Sequence, residues 1–170
     1  TPHWTTTYLS LRSAENWQPP GIKKEQHAVI IHIRPTARAV QRAAEQVSCF
    51  GLTGGMSRQS CFQLRVVISE VLNNIVAHAC CDNDGQLIQI QCYIDDHQIT
   101  ITSIDRGKPF YTSLSDGFPT PLTEGGRGWP IIMKWTDSFK YQSNATGNYL
   151  TLSKNIPEFF YKNEDDELKK

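Results

Sequence analysis

Residues 86–105 read QLIQIQCYIDDHQITITSID. Ile88, Ile90, Cys92 and Ile94 fall on one side of a two-residue alternation, the period of a half-buried strand, and the alternation resumes from Gln98 to Ile104. Between them DDHQ, Asp95 to Gln98, is a tight connection. The two strands therefore form a hairpin and pair antiparallel, which argues against a doubly wound parallel sheet.

Upstream, HAVIIHI at His27–Ile33 is a compact apolar strand stopped by Pro35, which can open the next helix. That helix is predicted over Thr36 to Phe50, with Ala39, Val40, Ala43, Ala44 and Val47 on one stripe and GLTGG at Gly51–Gly55 ending it. A second helix begins near Ser57 and carries Phe62, Leu64, Val67, Ile68, Val71, Leu72 and Ile75. Downstream of Asp105 the chain is rich in Gly, Pro, Ser and Thr without periodicity, so it reads as a long loop, the kind that serves as a lid or binding segment. Trp129–Thr136 reads as a helix, and Ser138–Gln142 and Tyr149–Leu152 as two closing strands. The order strand, helix, helix, hairpin, loop, helix, hairpin implies an α+β two-layer sandwich: a mixed, mostly antiparallel sheet with helices on one face.

A chain of 170 residues supports one full core and hardly two. We place that domain at 27–155, between an N-terminal segment 1–26, with TTTYLSLRS as an edge strand, and a charged tail 156–170. The 17 Lys plus Arg balance the 17 Asp plus Glu, so there is no basic footprint for nucleic acid or an anionic membrane. No apolar run approaches the roughly 18 residues of a membrane span, and no signal-peptide core is visible, so a cytoplasmic location is expected. Cys49, Cys61, Cys80, Cys81 and Cys92 are odd in number and lack metal-ligand spacing. They read as reduced thiols packed as small hydrophobes.

Three stretches carry polarity where a core is expected. In SEVLNNIVAHA, Ser69–Ala79, Glu70, Asn74 and His78 are four apart on the second helix. Steps of four advance by roughly 40°, so they form a slowly turning row beside the apolar stripe, with Asn73 further towards the solvent side. In DRGKPF, Asp105 shares strand parity with Ile99 and Ile101, which puts a carboxylate on the core side, where it needs a donor. Gly107 permits close approach to the backbone there, and Pro109 stiffens the exit. In GGRGWP, Gly125, Gly126 and Gly128 precede a helix with Pro130 in its first turn, a junction whose free N–H groups favour phosphates, with Arg127 adding charge. It is not a P-loop, because GxxxxGK[ST] is absent.

Together and in this order, SEVLNNIVAHA, DRGKPF and GGRGWPII resemble the N, G1 and G2 boxes of the GHKL, or Bergerat-fold, ATPases, over about His27–Lys154. The short chain and the DxGxPF and GGRG wording resemble most closely the anti-sigma-factor serine-protein kinases of bacterial partner-switching systems. The resemblance implies an ATP- and Mg²⁺-dependent serine/threonine-protein kinase. It would phosphorylate a STAS-domain anti-anti-sigma partner and sequester a sigma factor or another regulator. Homodimers are common among such relatives. Glu70 matches the general base, Asn74 the Mg²⁺-binding asparagine, and His78 a supporting residue near the lid. Asp105 matches the acceptor of the adenine amino group, beside Gly107. Gly125, Gly126, Arg127 and Gly128 match the region that closes over the phosphates, with Tyr111–Glu124 as the lid.

Two departures stand out: Gly147 is followed by Asn148 where the family often has Gly-Thr, and Trp129 and Pro130 follow GGRG in place of a medium aliphatic. Two other functions fit the same motifs. One is a non-catalytic, nucleotide-gated binding module; the other is a detached histidine-kinase catalytic domain, although no phosphoacceptor-type helical hairpin is visible.

Overall fold

The computed structural model describes residues 5–10, 27–79, 85–95, 97–110 and 128–156. Six strands form one sheet in the order β1-β2-β3-β4-β6-β5: β1 Thr5–Ser10, β2 His27–Ile33, β3 Ile88–Ile94, β4 Gln98–Asp105, β5 Ser138–Asn144 and β6 Gly147–Asn155. Every described pairing is antiparallel. The hairpin read from residues 86–105 is present, with Ile94 opposite Ile99. Asp95 closes it: its Oδ1 accepts from the backbone N–H of His97 at 2.8 Å and of Gln98 at 2.9 Å. The TTTYLSLRS segment contributes β1, an edge strand against β2.

The sheet buries one face. Val29, Ile31 and Ile33 of β2, Ile88, Ile90, Cys92 and Ile94 of β3, and Ile99 and Ile101 of β4 all point into one core. Against that face pack α1 Ala37–Thr53 and α2 Arg58–Asn74. Both begin on side-chain caps, Thr36 Oγ1 accepting from Ala39 N–H at 3.2 Å and Ser57 Oγ from Ser60 N–H at 3.1 Å. α1 runs past its expected end, because Gly51 stays in the helix and Gly54 makes the stop, donating its N–H to Phe50 O at 3.0 Å. The buried stripe of α2 is Cys61, Leu64, Val67, Ile68, Val71 and Leu72. Phe62 does not join it and is 57% exposed. It sits between the turns that supply the i, i+3, i+4 stripe, so its side chain points away from the sheet.

The helix carrying the polar row is not uniform. Regular α geometry stops at Asn74, and Ile75–Ala79 forms a π-helical turn. Its i→i+5 bonding widens the turn, so His78 does not continue the four-residue steps from Glu70 and Asn74. The side chain of His78 lies outside what is described.

α3 Gly128–Trp135 packs on α2 and ends above the sheet. Lys154 Nζ on β6 donates to Trp135 O at 3.0 Å, placing a cation at the helix C-terminus, which the dipole favours. Burial lowers the pKa of Lys154, and the nearby Asp137 charge opposes that shift. Of the cysteines, Cys92 is buried, with its thiol pushed up to about 12, and burial also raises that of Cys61; Cys49 is exposed. Cys80 and Cys81 lie outside the described residues.

Leu64 is fully buried at the centre of α2. Leu64→Ala is expected to lower unfolding stability by about 2–5 kcal/mol in urea denaturation, whereas Phe62→Ala should stay within about 0.5 kcal/mol.

Candidate functional site

β4 ends on the core side with Ser103 and then Asp105, which is 5% exposed. The donor that the sequence required comes from two places. Gly107 N–H and Asn148 Nδ2 each reach Asp105 Oδ1 at 2.8 Å. The Gly107 bond closes a short turn of the Asp105 side chain onto its own backbone; the Asn148 bond crosses from β6, whose register sets Asn148 opposite Asp105. Burial raises the carboxyl's pKa, while the bonds from Asn148 and Gly107 pull it back down. Oδ2 has no donor among the described residues.

β6 comes this close because it begins with Gly147. A Cβ there would stand 2.6 Å from the Asp105 carbonyl oxygen, and φ is +145°, a region that side-chain-bearing residues rarely adopt. The far end of DRGKPF is pinned as well. Phe110 is buried, and its N–H donates to Tyr141 Oη on β5 at 3.2 Å. The segment from Asp105 to Phe110 is thus held at both ends by residues of the closing hairpin, and Gly107 lies between those anchors.

Glu70 and Asn74 are half-buried one turn apart near the end of α2, and Asn73 is exposed. Glu70 faces α3. A Cβ on Gly128 would lie 2.8 Å from Glu70 Cδ and 3.0 Å from Glu70 Cβ, so a side chain at 128 would require the Glu70 carboxylate to move away. Trp129 is folded back against β5, its ring edge-on to Phe139 at 5.2 Å and 83°. That contact fixes the direction in which α3 leaves its glycine start, a role not evident from the sequence. Gly125, Gly126, Arg127 and the segment Tyr111–Glu124 lie outside the described residues.

The arrangement has two centres. Asp105 with Gly107 forms an acceptor beside an accessible stretch of backbone at the end of β4. Glu70 sets a carboxylate against the start of α3, with Asn74 one turn further along α2. The parts that sequence reading missed are Tyr141, the second donation by Asn148, from Nδ2 to Gly107 O at 2.9 Å, and Ser143, whose Oγ donates to Asn148 Oδ1 at 2.8 Å. Only the Gly147–Asn148 departure signalled any of them.

Comparison with known proteins gives matches of the same kind. The profile of the histidine kinase-like ATPase domain family matches residues 32–154. Serine-protein kinase RsbW of Oceanobacillus iheyensis is 32% identical over 123 residues, 67% of this chain and 77% of that protein. The crystal structure of the RsbU and RsbW domains of a Mycobacterium tuberculosis protein superposes with a TM-score of 0.54 at 18% identity. That match covers 75% of this chain and 32% of the longer chain. It is a likeness of fold.

Two stability measurements test the site's geometry. Asp105 holds its proton more tightly folded than unfolded, because its pKa is raised. Between the unfolded value of about 4 and the native one, the unfolded chain has lost a proton that the native state keeps. Stability therefore falls as pH rises through that window. Asp105→Asn keeps an acceptor for Gly107 and Asn148 but removes the charge. Urea denaturation at pH 4 and pH 7 should show the variant gaining stability relative to the parent at the higher pH. Gly128→Ala should cost about 1–3 kcal/mol, and a double-mutant cycle should return most of that cost when Glu70 is also truncated to alanine.

Proposed function

The chain belongs to the histidine kinase-like ATPase domain family, and from that premise we propose that it is an ATP-dependent serine/threonine-protein kinase. Its protein substrate is proposed to be a STAS-domain anti-anti-sigma partner. In alternation with that substrate it would hold a sigma factor or a comparable regulator, acting in the cytoplasm. The relative named serine-protein kinase RsbW supports the reaction class.

The observation that carries the reading is the meeting of Glu70 with Gly128. Phosphoryl transfer needs a base for the acceptor hydroxyl and an environment that receives phosphate charge. Here a carboxylate stands against a helix that starts on glycine, and such a start directs free N–H groups and the positive end of the dipole towards anions. In the proposed step Glu70 takes the proton of a partner Ser or Thr hydroxyl. The hydroxyl oxygen bonds to the γ-phosphorus of ATP, the bond from that phosphorus to the β,γ-bridging oxygen breaks, and ADP leaves. Gly125, Gly126, Arg127 and Gly128 are proposed to receive the phosphates, with 111–124 as the lid.

Asp105 is proposed to accept from the adenine amino group through Oδ2, beside Gly107. Asn74 offers the amide oxygen suited to a hard ion such as Mg²⁺. When bound, Mg²⁺ supplies charge neutralisation on the phosphates. His78 is assigned a supporting role near the lid.

The test incubates the protein with labelled ATP and a candidate STAS-domain partner. Phosphoserine or phosphothreonine should appear on the partner, and Glu70→Gln should lower its rate by about 10²–10⁴ while ATP still binds. ATP binding without transfer, unchanged by Glu70→Gln, would instead identify a nucleotide-gated clamp. Phosphohistidine on the partner would identify a histidine kinase.

A further inference from the structure

α1 and α2 pack on one face of the sheet, and a different set of residues stands on the other. His32, Gln89, Ile104 and Tyr149 each sit between two buried, core-facing neighbours on their strands, so by alternation they face away from the helices. The register sets His32 opposite Gln89, Gln89 opposite Ile104, and Ile104 opposite Tyr149. They make one unbroken row across β2, β3, β4 and β6. Neighbouring strands lie about 4.8 Å apart, so the row is about 14 Å long. It lines a cavity of about 500 Å³, together with Gln86 and Leu87 just before β3, Arg106 just after β4 and Thr146 just before β6. That volume is in the range of small-molecule sites.

The chemistry changes along the row. At one end Ile104 and the Tyr149 ring are cross-strand neighbours and offer an apolar surface. The ring is held in place: Thr146 Oγ1 donates to Asn144 Oδ1 at 2.6 Å, so the Tyr149 hydroxyl, 2.8 Å from Thr146 Oγ1, donates to it. Arg106 stands at the same end, its Cγ 3.7 Å from where a Cβ on Gly147 would be. Its guanidinium is a planar fork suited to a carboxylate or phosphate. Asp105, the one acidic residue of the lining, turns its carboxylate to the core face, where Asn148 and Gly107 hold it. The fixed charge of the cavity is therefore positive. Towards the other end stand His32, Gln89 and Gln86. Both polar atoms of the Gln86 carboxamide are buried, and neither has a hydrogen-bond partner. Leaving a buried group unpaired costs as much as breaking a good hydrogen bond, so its retention calls for a reason. We propose that this cavity is a binding site, on the opposite face of the sheet from the proposed nucleotide site, for a small anionic ligand built on a flat ring. A carboxylate or phosphate of the ligand pairs with Arg106, and the ring lies on Ile104 and Tyr149. An amide-like edge, an N–H beside a C=O, meets Gln86 and Gln89. A carboxamide presents donor and acceptor side by side, and such an edge satisfies both at once.

The probe is UMP, which joins a flat ring, an N–H and C=O edge and a phosphate. It is titrated into the isotope-labelled full chain and followed by amide NMR, with thermal melts to establish folding. UMP should shift Gln89, Ile104 and Tyr149 whether or not ATP is present. Uridine, which lacks the phosphate, and phenyl phosphate, which lacks the edge, should each bind at least about tenfold more weakly, the factor expected when a charged or buried group loses its partner. Arg106→Met should weaken UMP by a similar factor and leave uridine unchanged. Gln86→Leu should weaken UMP about tenfold and yet raise the melting temperature of the free protein, because it removes an unsatisfied buried amide. A folded Gln86→Leu that binds UMP as the parent does overturns the proposal. If that variant does not fold, unchanged binding by Gln89→Leu does the same. UMP that shifts none of the row at millimolar concentration, or that shifts Gly107 and Asn148 instead and is displaced by ATP, also overturns it. A parent that takes UMP on this row but binds no ATP upholds this site and overturns the nucleotide reading of the other.

Discussion

A carboxylate on the buried face of a sheet must be given hydrogen-bond donors, and that requirement organises one end of this molecule. Asp105 stands at the last core-facing position of β4, continuing the line of Ile99, Ile101 and Ser103. Meeting its need brings β6 in beside β4, selects glycine at 147 so that the backbones can approach, and turns the chain at Gly107 so that its N–H points back. The closing hairpin does more than complete the sheet. Through Asn148 and Tyr141 it fixes both ends of the Asp105–Phe110 segment. The cost of a partly desolvated carboxylate is retained because the remaining oxygen is proposed to be read by a ligand. Stability and recognition pull in opposite directions at one side chain.

The second centre depends on packing between helices. α2 and α3 come together where Gly128 lacks a side chain, and the space that a Cβ would take is filled by Glu70. Trp129 holds the start of α3 by its edge-on contact with Phe139. The π-helical turn that follows Asn74 ends the regular spacing one turn after Glu70. The proposed base therefore sits on the regular α-helical part of the helix, and the histidine sits on the π-helical turn.

Much of this was legible beforehand for a clear reason. Strand alternation in 86–105 reports which residues lose contact with water, and burial is what pairs the strands in register; the antiparallel hairpin followed. The core side of Asp105 followed from the same parity, and so did its need for a donor. Helix stripes were readable for α1 and most of α2. Phe62 was misjudged because apolarity alone does not state direction: a residue off the i, i+3, i+4 rows is exposed whatever its hydrophobicity. The π-helical turn at Ile75–Ala79 was not legible, because it arises from local bonding that hydrophobic spacing does not encode.

By itself, then, the sequence determined most of the elements, the antiparallel hairpin over 86–105, the core-side position of Asp105 and the family, since each depends on local periodicity or on motifs contiguous in the chain. Tertiary structure alone decided who satisfies whom. The donor for Asp105 comes from 43 residues away on β6, and the group filling the gap at Gly128 comes from another helix. Such partnerships are set by strand register and by helix approach to within a few tenths of an ångström. No one-dimensional pattern records those distances.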